Sequence, residues 1–325
     1  MMKIFRGLPA PDARLPTALT IGNFDGVHRG HQALLAQVVS AARERGLCPA
    51  VMTFEPHPRE FFSPAQAPAR IANLRDKIDL LAAAGIERVF IQHFNRAFAA
   101  LDAAQFVSRV LVEGCRVRWL MVGDDFRFGA KRTGDVALLR AQAAACGYEV
   151  AQIDSVRDSG ERISSSAVRR ALADGDLALA QRLLGRPYAI RGRVMHGAKL
   201  GRSIGFPTLN LRIGHARQTR RPAVHGIFAV RVHGLDAHPL DGVASVGLRP
   251  TVDDSGRWLL EVHLFDFARQ VYGSLVSVEF VQKLRDEVRY DTLPELTAAI
   301  ARDAEQARAL LGAAHRSRAA AQATI

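Results

Sequence analysis

Cysteine is scarce in this sequence: three among 325 residues, Cys48, Cys115 and Cys146, an odd set with no C-x-x-C pair. That excludes a disulfide framework and a structural zinc site. No apolar run approaches the ~18 residues needed to cross a bilayer. The opening MMKIFRGLPAPDARLP has prolines and charges where a signal peptide carries its apolar stretch, so the expectation is a cytoplasmic chain with no membrane partner. There is no G-x-x-x-x-G-K-[ST] loop, and any phosphoryl chemistry must use another cradle. Repeats at solenoid periods are missing too. The net charge of +12 is diffuse, with no basic block and no interleaved aromatics, so it suits nucleotides better than a nucleic-acid polymer.

What is present divides in two, as the length suggests. From Thr17 to Ile153, the runs TALTIG, AVMTF, RVFIQ, RWLMVG and YEVAQI alternate with helical stretches such as LRDKIDLLAAAG, the pattern of a parallel sheet covered by helices. ISSSAVRRALADGDLALAQRLLG predicts two short helices, with Ser164 or Ser165 as N-cap and Asp174-Gly175 as the break. After Arg186-Pro187 the runs AIRGRVMH, TLNLRI, GIFAVRVHG, GVASVGL, LLEVHLFDF and SLVSVEFV follow without intervening helices, which predicts a six-stranded antiparallel barrel. LPELTAAIARDAEQARALLG predicts an outer helix, and the Ala-rich tail after Gly312 a loose end. The expected domains are 1–185, 186–312 and a flexible tail over 313–325.

The first strand runs into GNFDGVHRGHQALL, where Gly22 and Gly26 permit a tight turn and His28 and His31 begin a helix. A helix start offers unpaired N–H groups and a positive dipole end to a phosphate. Histidines three apart share a face, and both can donate to phosphoryl oxygens; the alternative is a pair of ordinary surface residues. HRGH resembles the H-x-G-H motif of the nucleotidyltransferase superfamily, and GNFDGVHRGH is similar to the adenylyltransferase half of prokaryotic FAD synthetases. TFEPHP (53 to 58), VGDDFRFG (122 to 129) and RISSSAVR (162 to 169) follow in the family's order.

The resemblance implies a Rossmann-like fold in which His28 and His31 stabilise the ATP phosphates while the FMN phosphate attacks. Asn23 would lie close to the same phosphates, with Gly22 and Phe24 in the same binding loop. Ser164, Ser165 and Arg169 would approach the triphosphate, and Ser166 stands where the family usually has Thr. Phe54 and His57 are flavin-side candidates, with an exposed stiff loop as the alternative. Asp125 competes between ligand contact and turn chemistry, and Phe126 and Phe128 between core and flavin stacking.

In the second half, GRVMHGAKLGRSIGFPTLNL carries Gly192, Gly197, Gly201 and Gly205, a backbone able to wrap phosphates, with Lys199 and Arg202 adding charge. Thr208 and Asn210 are two apart, so on a strand their oxygens share a face and could hold one Mg²⁺; a polar edge pair is the alternative. GRVxHGxKLGR with GFPTxN resembles the riboflavin kinase domain. That resemblance brings His196 and Pro207 into the binding set and makes Glu261 the candidate base. Ser245 departs from the family's asparagine.

Taken together, these resemblances imply phosphorylation of riboflavin to FMN, then adenylylation of FMN to FAD, with ATP consumed, ADP and pyrophosphate released, and Mg²⁺ serving both steps. A one-activity enzyme, or a nucleic-acid-binding or flavin-sensing protein on an old scaffold, are the competing readings. Oligomeric state is not legible.

Overall fold

A computed structural model describes residues 2–158, 160–197, 201, 204–213, 221–248 and 258–322, with side chains as far as 313. Lys199 and Arg202 lie outside the described residues. By compactness the chain forms two units, Met1–Pro68 with Leu74–Ser165, and Ala69–Asn73 with Ser166–Ile325.

The first unit is built on six parallel strands: β1 (Lys3–Arg6), β2 (Thr17–Ile21), β3 (Cys48–Glu55), β4 (Arg88–His93), β5 (Val117–Gly123) and β6 (Glu149–Ile153). Their order is β1-β4-β3-β2-β5-β6. The five expected strands are all there. The sixth, KIFR, adds an edge strand that was not expected, because four residues before a proline-rich stretch show too little alternation. All five residues of β2 are buried, as a central strand covered on both faces requires. Alternation splits the core: Leu19, Met52 and Leu120 pack on one face, Ala18, Val51 and Met121 on the other.

Helices α1 (Arg29–Arg45), α2 (Pro58–Phe62), α3 (Leu74–Ala83), α4 (Arg96–Ala99), α5 (Ala103–Gln105) and α6 (Val136–Cys146) connect the strands, and α5 runs on as a π-helix over Phe106–Gly114. Strands β2, β3 and β4 step outward on one side, while the chain crosses back to β5 on the other. The direction of winding therefore reverses between β2 and β5, and loops leaving the carboxyl ends of those two strands face a common crevice. GNFDGVHRGH and VGDDFRFG are those loops. A short ribbon, β7 (Arg157–Asp158) with β8 (Glu161–Arg162), follows β6.

In the second unit, α7 (Ser165–Asp174) and α8 (Leu177–Leu184) break at Gly175, whose φ is 79°. The barrel comprises β9 (Ala189–Met195), β10 (Leu209–Arg212), β11 (Gly226–His233), β12 (Leu240–Leu248), β13 (Trp258–Leu264) and β14 (Leu275–Arg285). It closes in the order β10-β13-β12-β11-β14-β9, with every pairing antiparallel. Phe228, Val230, Val246, Leu260, Val262, Val278 and Phe280 fill it. The alternate face presents Ile227, Ala229 and Val243, covered by Ala304, Ala307 and Leu311 of α9 (Leu293–Gln322). That helix continues past Gly312 as far as Gln322, into the stretch expected to be loose, and alanine's helix propensity accounts for it. Among the described residues no helix is long and apolar enough to cross a membrane.

Candidate functional site

The first candidate site sits where β2 ends. Gly22 N–H donates to Met52 O (3.0 Å), tying the turn to β3. Phe24 and Val27 then take φ values of 47° and 39°, a region costly for a β-branched or bulky residue and concentrated at functional turns. His28 caps α1: its Nδ1 accepts from His31 N–H at 3.3 Å. The two imidazoles stack with centroids 3.6 Å apart and planes 17° from parallel, and Phe24 lies 5.0 Å from His31. A Cβ on Gly30 would come 3.2 Å from the His28 ring and 3.3 Å from Ile163 O, so a larger residue here would crowd both.

Ser165 Oγ donates to Asp25 O (3.1 Å), which joins the RISSSAVR segment to the same turn. Asn23 Oδ1 is buried and accepts no hydrogen bond among the described residues. Taken together, the turn brings two imidazoles and the first N–H groups of a 17-residue helix to one edge of the sheet. Such an arrangement binds a phosphate and stabilises charge growing on it.

The remaining sequence candidates divide. Ser164 directly precedes α7, and Arg169, one turn on, donates from Nε to Ala69 O (2.7 Å) in the second unit. His57 caps α2, its Nδ1 accepting from Arg59 N–H (3.1 Å) while Glu60 accepts from His57 N–H (3.0 Å). Asp125 pairs with Arg162 (3.0 Å), and Asp124 accepts from Ser155 (3.1 Å). Farther along this loop, the backbone N–H of Leu138 and the nearby Arg127 hold the Asp135 carboxyl below the usual range. Phe128 is buried core against Phe106, with ring centroids 5.3 Å apart, and Phe126 stacks on Phe128 at 5.7 Å.

Phe54 meets Phe94 and Phe98 at 5.8 and 5.9 Å. Beside them opens a cavity of about 520 Å³, lined by Glu55, Leu74, Ile91, Gln92, Phe98 and Leu101 among others. Gln92, 6% exposed, has a buried Nε2 with no hydrogen-bond partner. Sequence reasoning did not single out Gln92; a lone amide in a strand otherwise made of apolar and charged residues was the available signal.

The second candidate site is assembled by strand register. Asn210 of β10 and Ser245 of β12 both lie opposite Glu261 of β13, so the three form one row across adjacent strands on the outer face. Asn210 is 6% exposed; its Nδ2 donates to Thr208 O (3.4 Å) and its Oδ1 is buried without a partner among the described residues. An unpaired hard oxygen beside a threonine suits Mg²⁺. Gly197 packs against the Asn210 amide so closely that a Cβ would overlap it. His196 stacks on Tyr272 (3.9 Å), Gly192 lies against Leu211, and the Gly201 carbonyl accepts from Phe206 N–H (2.7 Å). The Pro207 carbonyl meets His263 Nδ1 at 2.9 Å.

Ser245 Oγ donates to Glu287 Oε1 at 2.9 Å, and Glu287 lies over Gly247 where a side chain would collide with it. Glu287 gave no signal in the sequence, because only the fold brings it to Ser245 from beyond β14. Among the described residues no group of three or more His, Cys, Asp or Glu could hold a metal ion. A cation here would depend on Thr208, Asn210 and its ligand's own phosphates.

The FAD synthetase family model matches residues 11–167 and the riboflavin kinase model residues 184–311. The bifunctional riboflavin kinase/FMN adenylyltransferase of Escherichia coli K12 is 49% identical over 315 residues, covering 96% of this chain and 98% of that protein. Its namesakes in Pseudomonas fluorescens and Haemophilus influenzae are 46% and 45% identical, over 97% and 95% of this chain and 100% and 99% of theirs. A crystal structure described as a macrolide-efflux protein from Streptococcus pneumoniae superposes with a TM-score of 0.72 at 29% identity, covering 94% of this chain and 98% of that one.

Proposed function

The chain belongs to the family of bifunctional riboflavin kinase/FMN adenylyltransferases, and from that premise we propose which residues carry each of its two reactions. The chain phosphorylates riboflavin to FMN with ATP, then adenylylates FMN to FAD with release of pyrophosphate. Residues 1–185 serve the second reaction and 186–312 the first.

In adenylylation, an FMN phosphate oxygen attacks the α-phosphorus of ATP. His28 and His31 donate to the phosphoryl oxygens as charge builds on them, and the α1 N-terminus adds its dipole. Gly22, Asn23 and Phe24 shape the turn, and Ser164, Ser165 and Arg169 extend the nucleotide contacts. The stacked histidine pair at the first turn of α1 is the observation that carries this assignment. The flavin ring occupies the cavity beside Phe54 and Phe98, where the unpaired Gln92 Nε2 offers a donor to a ring carbonyl. His57 acts through its cap on α2, and Asp125 borders the loop after β5.

In the kinase reaction, Glu261 takes the proton of the ribityl 5′-hydroxyl as its oxygen attacks the γ-phosphorus, and ADP leaves. Thr208 and Asn210 would hold Mg²⁺, which would supply a Lewis acid to draw charge from the phosphate oxygens. Gly192, His196, Gly197, Gly201 and Pro207 form the phosphate and flavin cradle, and the positive charges of Lys199 and Arg202 serve the ATP phosphates.

A time course tests both halves. With riboflavin, ATP and Mg²⁺, chromatography should show FMN rising first and FAD following with pyrophosphate; supplied FMN should give FAD directly. EDTA should stop both reactions and added Mg²⁺ restore them. A chain that converts FMN but leaves riboflavin untouched would retain one activity only, and the kinase assignment would fall.

A further inference from the structure

Lys77 is an anomaly of the first unit. In α3, LRDKIDLLAA, it lies one turn from Leu74 and Leu81 on the stripe that faces the core, and it is only 1% exposed. Burying an ammonium is among the costliest placements available to a side chain, so its polar contacts define what it does there. Its Nζ lies 3.4 Å from Thr53 Oγ1, at the carboxyl end of β3. Thr53 is fully buried, and its Oγ1 lies 3.2 Å from Asn23 O in the turn that precedes His28.

The direction of this relay is fixed by chemistry. A lysine ammonium can only donate, so Thr53 accepts from it, and the single hydroxyl proton is left for the Asn23 carbonyl. One residue earlier, Gly22 N–H is held by Met52 O. The turn is thus anchored to β3 on both sides of the Gly22–Asn23 peptide, and the Asn23 Oδ1 that accepts nothing projects from the anchored residue.

We propose that Lys77 is a positioning residue of the adenylylation centre, acting through Thr53 on the Asn23 carbonyl to hold the Gly22–His28 turn in the shape that seats a nucleotide phosphate. The proposal rests on the assignment of that turn to adenylylation. It gives the buried charge a task that a packing residue cannot perform, because methionine would fill the same space without the donor.

The test compares Thr53→Val, Lys77→Met and the double variant in the full chain. Each single variant should lower kcat for FAD formation about 10–100-fold, the cost of a catalytic turn displaced from productive geometry. The KM for FMN should stay within about threefold and riboflavin kinase activity at the parent rate, since the cavity and the barrel are untouched. Residues of one relay are not independent, so the double variant should be no slower than the slower single one. Thr53→Val at the parent rate, or losses that multiply in the double variant, would overturn the relay. Hydrogen exchange of the peptide spanning 22–28 reads the same contact without turnover. Exchange should speed up in both single variants and no further in the double. Unchanged exchange would overturn the proposal whatever the rates, whereas a parent chain that makes no FAD would instead overturn the assignment of the turn and leave this readout standing.

Discussion

The two units solve one problem, holding a nucleotide's phosphates for an incoming oxygen, in opposite ways. In the parallel sheet the proposed site is a turn: consecutive residues from Gly22 to His31 supply the bend, the cap, the stacked imidazoles and the helix end. In the barrel the proposed site is a register: Asn210, Ser245 and Glu261 come from three strands and meet only because those strands pair as they do. A parallel sheet directs loops to one edge by topology, so local sequence can do the chemistry. An antiparallel barrel distributes it, and a slip of one residue in β13 would turn Glu261 to the opposite face.

The comparison breaks if either centre depends on the other. Glu261→Gln removes the proposed base while keeping its shape; FMN formation should fall about 10²–10⁴-fold while FAD formation from FMN continues at the parent rate. His31→Ala should do the reverse, slowing FAD formation about 10²–10³-fold and sparing the kinase. Rates for both half-reactions on each variant settle this, and a loss of both activities from either substitution would contradict the division.

A smaller effect sharpens the register argument. In Gly197→Ala the new methyl collides with the Asn210 amide, and the kinase should lose about tenfold in rate and need more Mg²⁺ for half-maximal activity, read by titrating the cation. The barrel also depends on α9: Arg285 forms a forked pair with Asp303 at 2.8 and 2.6 Å, with Asp303 6% exposed. Arg285→Ala should cost about 2 kcal/mol, as hydrogen bonds to a charged partner do, measured by denaturant unfolding. Smallest is Ser245→Ala, which releases Glu287 and should change riboflavin KM by roughly fivefold, the worth of one hydrogen bond of about 1 kcal/mol.

How far the sequence could be read follows the same divide. The strands were legible in both units because period-two patterns and turn residues bound them, and the turn proposed for adenylylation could be singled out because its candidate residues are contiguous. Glu287 was not, since nothing near it marks a partner 42 residues away. Lys77 was hidden for another reason: a charge inside an amphipathic helix reads as its solvent face, and only its phase with Leu74 and Leu81 says otherwise. His57, singled out as a flavin-side candidate, also caps α2, a role that the following Pro-x-Glu pattern signals. The π-helix over Phe106–Gly114 has no pattern that separates it from an α-helix.

A ring of strands has no spare end. Because β9 closes on both β10 and β14, the first strand to leave α8 is also the clasp of the whole cylinder. Cutting it away would bare two ribbons of unpaired amides and carbonyls together, so a truncated chain would sooner clump than persist as a weakened kinase.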